Sequence, residues 1–264
     1  MMSTLTAVGG PRRGSAGDGV TVNPVSADAD SVRAALAAAA EAGPFFRLEV
    51  LADPAAGEWQ PAGRELAGLT ARTAAQLGSR EPRVAASILH LSLAARLWSP
   101  ALGCGLLAGV VPDMGALVIS AGAEVRLGTT RLAGWRATSV AELATFAGAT
   151  VGGQLDALAA ALPTPLPPGL LRGNSASALT GALGMLLRFR PDLAGLAREL
   201  AGHLLSGPDL AGAGVLAGAE TGALSFRRHS CCLYYRVPGG GLCGDCCLDR
   251  PPGDSEPHRG EPDS

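Results

Sequence analysis

Five of the chain's six cysteines fall within seventeen residues, Cys231 to Cys247, near the end of a sequence of 264. Random placement of so rare a residue does not produce this. In a reducing compartment, clustered cysteines are metal ligands or redox groups more often than structural disulfides. The sixth, Cys104, stands alone in an apolar stretch and reads as a buried, inert thiol.

The compartment follows from the rest of the chain. Met1 to Gly19 holds no apolar core of roughly 7–15 residues behind a basic start, and Arg12-Arg13 leads into Gly14-Ser15-Ala16-Gly17-Asp18. A cytoplasmic protein is expected. The longest uncharged run, Leu97 to Pro112, has 16 residues with Pro100 inside it. A span needs about 20, so no transmembrane segment is expected. The net charge of −2 argues against a general nucleic-acid binder, and the use of Arg for every basic residue reads as codon bias and not as function.

A chain of this length can bury about three quarters of its unfolded surface, so its core needs no disulfides. Residues 1–28 are rich in Gly, Ser, Ala and Pro without periodicity and are expected to be disordered. Helices are predicted over 31–42 with Asp30 as cap, over 62–77, and from about 79 to 98, with Ser79 capping and Pro100 following the end. Val84, Ile88, Leu91 and Ala95 share one face of the third. Phe45 to Val50 alternates like a short strand. Residues 117–120 and 124–127 flank Ala121-Gly122-Ala123 as a hairpin, and 131–136 suggests a further strand. Helices resume over 140–162, 175–189 and 191–205. Pro251 to Ser264 is acidic and Pro-rich, expected to be disordered. The expected fold is mainly α (α+β): a helical domain over 29–221 with a small β-hairpin insert, then a Cys-rich module over 222–250.

The module is spaced C-C-x10-C-x2-C, through Cys231, Cys232, Cys243 and Cys246, with Cys247 extra. A zinc site takes C-x2–4-C pairs, which Cys243 and Cys246 fit and the adjacent pair does not, because neighbouring side chains diverge. A bridge between adjacent cysteines closes a strained ring and would be reduced in the cytoplasm. An iron–sulfur cluster takes four thiolates on two irons and gives diverging sulfurs separate places to bind. Pro238 and Gly239-Gly240-Gly241 let the chain fold back between the two halves. Between Gly222 and Arg250 lie four Arg and two Asp, a positive bias that suits an anionic centre.

At these residues the sequence resembles the FhuF-like ferric iron, or ferric siderophore, reductases, whose C-terminal signature has this spacing. Arg83 to Pro112, with Ala95-Arg96-Leu97-Trp98-Ser99-Pro100, and Gly173-Asn174-Ser175-Ala176-Ser177 also look similar. The resemblance implies a 2Fe-2S cluster on Cys231, Cys232, Cys243 and Cys246. It implies one electron passed to a ferric siderophore in the cytoplasm, releasing ferrous iron. No flavin or nicotinamide motif is present, so the electron comes from an external donor of ferredoxin or flavoprotein type. Arg227, Arg228 and Arg236 are the expected substrate-docking residues, and Tyr234 and Tyr235 are expected to pack over the loop. Asn174 reads as a helix N-cap and His90 as a core or surface residue of its helix. The competing functions are a non-enzymatic zinc module and a siderophore-binding accessory protein without turnover.

Overall fold

The computed structural model describes residues 24–52, 58–122, 124–217 and 224–252. Most of the two segments expected to be disordered, 1–23 and 253–264, lies outside the described residues, as does Ala123 of the expected turn.

Among the described residues six α-helices carry the fold: α1 (Ala29–Ala40), α2 (Ala62–Leu77), α3 (Pro82–Ala108), α4 (Val140–Ala161), α5 (Pro168–Phe189) and α6 (Ala194–Ser206). The mainly helical expectation holds, and α2 and α4 fall where the periodicity places them. α3 is the centre, packed against α1, α2, α4 and α5. It runs 27 residues and passes straight through Pro100, where the sequence predicts a stop. A proline inside a helix costs about 3 kcal/mol, but the turns on both sides of Pro100 are fully buried among the neighbouring helices. Gly105 helps: a Cβ there would lie 2.9 Å from the Leu143 side chain of α4. By length and composition α3 could cross a membrane, but in this fold most of it is buried. Its inward stripe runs through Ala86, Leu89, Leu93 and Leu97; of the predicted face only Val84 is buried.

Four further predictions are corrected. The cap of α1 is Asp28, whose carboxylate accepts from Ser31 N–H, and not Asp30. Residues 45–50 do not make one strand: Pro44–Phe46 is a 3-10 turn that buries Phe46, and only Glu49–Val50 (β2) is extended. Val25–Ala27 (β1), within the expected N-terminal tail, pairs with Gly134–Arg136 (β7). Lastly, α5 starts at Pro168, seven residues before the predicted Ser175. Proline suits a first helical turn because its missing N–H has no partner there anyway.

The predicted hairpin forms between Leu117–Ala121 (β5) and Val125–Thr129 (β6), with Ile119 opposite Leu127. Trp59–Pro61 (β3) and β2 extend it to a four-stranded sheet ordered β2-β6-β5-β3. β7 leaves it for a second sheet, between β1 and Val110–Pro112 (β4). A third pair, Gly214–Ala217 (β8) and Ser225–Arg228 (β9), was not predicted and leads directly into the cysteines.

Candidate metal centre

β9 sets the geometry. Alternation along a strand sends successive side chains to opposite faces. Phe226 and Arg228 therefore point inward and Arg227 outward. Arg228 is 1% exposed, so it does not share the expected docking face. Its Nη2 donates to Asn174 Oδ1 at 2.6 Å, and its Nε donates to the Ser230 carbonyl. Asn174 is not an N-cap. It sits inside α5, wholly buried, and its Nδ2 donates to the Ser87 carbonyl of α3 at 2.9 Å. Ser87 Oγ in turn donates to the Cys232 carbonyl at 2.8 Å. Ser230 Oγ donates to the Gly169 carbonyl of α5 at 2.8 Å. Two core helices, α3 and α5, thus hold the segment of the Cys231-Cys232 pair by its backbone and by Ser230.

This clamp was not legible beforehand. Its one sequence signal was a run of polar residues, Gly173-Asn174-Ser175, in an otherwise Ala- and Leu-rich helix. A buried asparagine requires partners, so a polar residue on a core face marks a contact.

Leu233 follows the pair at φ 71°, the one non-glycine left-handed residue among those described. Such a conformation costs about 1–2 kcal/mol. It turns the backbone so that Leu233 N–H donates to Cys231 Sγ at 3.3 Å and Tyr234 N–H to Cys232. A 3-10 turn, Tyr234–Arg236, and a bend closed by Gly240 N–H on the Val237 carbonyl then reverse the chain. Tyr234 stays partly exposed on this turn. The second cysteine loop is tied down by Arg228 N–H on the Asp245 carbonyl and by Cys246 N–H on the Cys243 carbonyl. Leu248 N–H donates to Cys246 Sγ at 3.4 Å.

The thiols fall into two groups. Cys232 and Cys243 are in contact, Sγ to Sγ 3.5 Å. Cys231, Cys246 and Cys247 have sulfurs all within 4.8 Å of one another. Divergence of the adjacent pair, which disfavours a single zinc, is what sends one sulfur to each group. The contact between them splits the pair, drawing Cys232 down and pushing Cys243 up. Burial raises Cys231 and Cys247. Cys104, also buried and far up at about 12, is chemically silent. Two sulfur groups at this spacing suit a centre with two metal ions, and the donor set fits a 2Fe-2S cluster.

Around the rim, Arg227 pairs with Asp249 at 2.6 Å and Arg236 with Glu81 at 2.9 Å, both largely exposed. His229 Nδ1 lies 3.0 Å from the Gly212 carbonyl, away from a ligand role.

His90 lies inside α3, 2% exposed, with Nδ1 buried and unpartnered. Burial, helped by the positive charge of Arg228, lowers it from 6.5 to about 4. The unfolded chain takes up this proton near 6.5 and the folded chain does not. Stability from this group is therefore complete above that value and falls as pH drops toward 4. Between pH 7 and 4.5 the loss is roughly 2–3 kcal/mol, at about 1.4 kcal/mol per pKa unit. Denaturant titrations at both pH values should show His90→Leu losing that share of the pH dependence.

Residues 228–248 match the family described as the FhuF 2Fe-2S C-terminal domain. The match spans the clamp arginine through both thiol groups. No curated protein and no solved structure matches the chain.

Proposed function

We propose, from the premise that this is an FhuF-like chain with a 2Fe-2S C-terminal domain, that it is a ferric siderophore reductase. The observation that carries the reading is the split of the thiols into two groups inside the matched segment. Cys232 and Cys243 would hold one iron, and Cys231 and Cys246 the other. Cys246 is preferred over Cys247 because its sulfur accepts an N–H from two residues on, as those of Cys231 and Cys232 do. When bound, the cluster supplies one electron, which converts the chelated Fe(III) to Fe(II) as the cluster returns to its oxidised state.

The chain's own residues do the rest. Backbone N–H groups on the sulfurs disperse negative charge and favour the reduced form. Arg227 and Arg236 stand at the rim, and their exposed ion pairs hold them only weakly, so an anionic chelate can displace the carboxylates. Ferrous iron is softer than ferric, and siderophore oxygens grip it far less tightly. An external ferredoxin or flavoprotein would restore the electron, and the cytoplasm is the place that keeps these thiols reduced.

The test is direct. Anaerobic protein loaded with iron and sulfide should be red-brown, EPR-silent when oxidised and S = 1/2 when reduced. Mixed with ferric hydroxamate and ferric catecholate chelates, the reduced protein should regain the stronger red-brown absorbance of the oxidised cluster, yielding one trapped Fe(II) per cluster. A reduced cluster that persists beside the bound chelate would leave an accessory binding protein. A colourless protein holding zinc would leave a structural module.

A further inference from the structure

Arg228 is a buried cation without an anion. Its Nε and Nη2 meet neutral acceptors, the Ser230 carbonyl and Asn174 Oδ1, and its Nη1 is buried with no partner. Among the described residues no carboxylate pairs with it. Burying a lone charge is costly, and proteins keep one only where something compensates it. Yet the fold is shaped to hold it. Strand alternation aims Arg228 inward, Asn174 receives it from the middle of a helix, and Gly173 leaves the space. A Cβ at Gly173 would lie 2.9 Å from Arg228 Nη2 and 2.1 Å from Ser230 Oγ. The groups in its field are the thiols Cys232 and Cys247, together with the buried His90, whose charging it further opposes. Asp245 acts in the opposite sense on Cys232 and also on Cys243, with Oδ2 buried and unpartnered.

We propose that Arg228 is the resident counter-charge of the metal centre and raises its reduction potential. The proposal rests on the 2Fe-2S reading of the module. A cluster on four thiolates carries −2 when oxidised and −3 after accepting one electron from its donor. A fixed cation in a low-dielectric interior favours the more negative state. Asn174 and Ser87 are then positioning residues, holding the guanidinium and the Cys232 backbone in one network.

Redox titration of loaded protein, followed by the EPR signal of the reduced cluster, tests this. Arg228→Gln keeps a hydrogen-bonding side chain and removes the charge. At a fixed donor potential its reduced-to-oxidised ratio should fall about tenfold, a 59 mV shift for one electron. Arg228→Lys should stay near the native value. Arg250→Gln, an exposed charge three residues past Cys247, should shift little because solvent screens it. Asn174→Asp is a second probe, since it sets a carboxylate on the guanidinium without changing shape, and it should also lower the potential. Loaded R228Q or N174D at the native potential overturns the proposal. If neither keeps a cluster, R228K decides: a loaded R228K shows that the charge is required, and an empty one reduces Arg228 to a structural strut. Native protein that takes up no 2Fe-2S cluster overturns the functional reading instead.

Discussion

Cys232→Ser or Cys243→Ser should leave a folded, colourless protein, whereas Cys247→Ser should stay red-brown with native iron content. The contrast follows from how the thiols are grouped. Cys232 and Cys243 touch each other at 3.5 Å and have no third sulfur grouped with them among the described residues. On the proposed ligand set, loss of either would leave one iron with a single protein thiolate and no third sulfur of the group to replace it. The other group has three sulfurs for two places. Cys246→Ser should therefore keep a cluster at reduced occupancy with an altered EPR line shape, as Cys247 takes the vacant position. Cys246→Ser with Cys247→Ser should lose it entirely. Iron and acid-labile sulfide per chain, read with the visible spectrum, separates these outcomes. A colourless C247S beside a red-brown C246S would reverse the assignment of the last ligand.

Gly173→Ala should detach the first cysteine loop from α5. A methyl group there would come within 2.1 Å of Ser230 Oγ, which is itself fixed on the Gly169 carbonyl. Overpacking of this kind costs about 1–3 kcal/mol. The gain in helix propensity from Gly to Ala, about 1 kcal/mol, acts against it. The net effect should appear less in global unfolding than in cluster retention, because the strain falls on the loop that carries Cys231 and Cys232. Release of iron to a chelator should be faster than native by about tenfold or more, the factor that 1.4 kcal/mol commands. Adding Ser230→Ala removes the clashing oxygen and should restore most of the retention. No rescue in the double variant would mean that the contact with Arg228 Nη2 dominates.

The clamp also shows where local reading stops. Asn174 in Gly-Asn-Ser looks like a cap because asparagine competes with helical backbone bonds and favours helix starts. What keeps it helical is outside its window: Arg228, 54 residues on, and Ser87, 87 residues back, use both ends of its amide. Pro100 misleads for the same reason. It stops an isolated helix, but the buried turns beyond it have neighbours on every side. Arg228 was placed beside Arg227 at the surface because β9 shows too little periodicity in four residues to reveal a strand. Without the strand, the inward turn of every second residue is invisible.

What the sequence determined by itself is the chemistry and much of the helical frame. The C-C-x10-C-x2-C spacing limits the thiols to a small set of centres, since covalent reach and side-chain divergence are local properties. The helices at 62–77 and 140–161 are equally local, carried by composition and capping signals within one segment. Only the tertiary structure decided which sulfurs meet, which arginine turns inward, and what holds the loop to the core. Those are encounters between residues tens of positions apart, chosen by the burial of whole helices and not by any preference of the residues that meet.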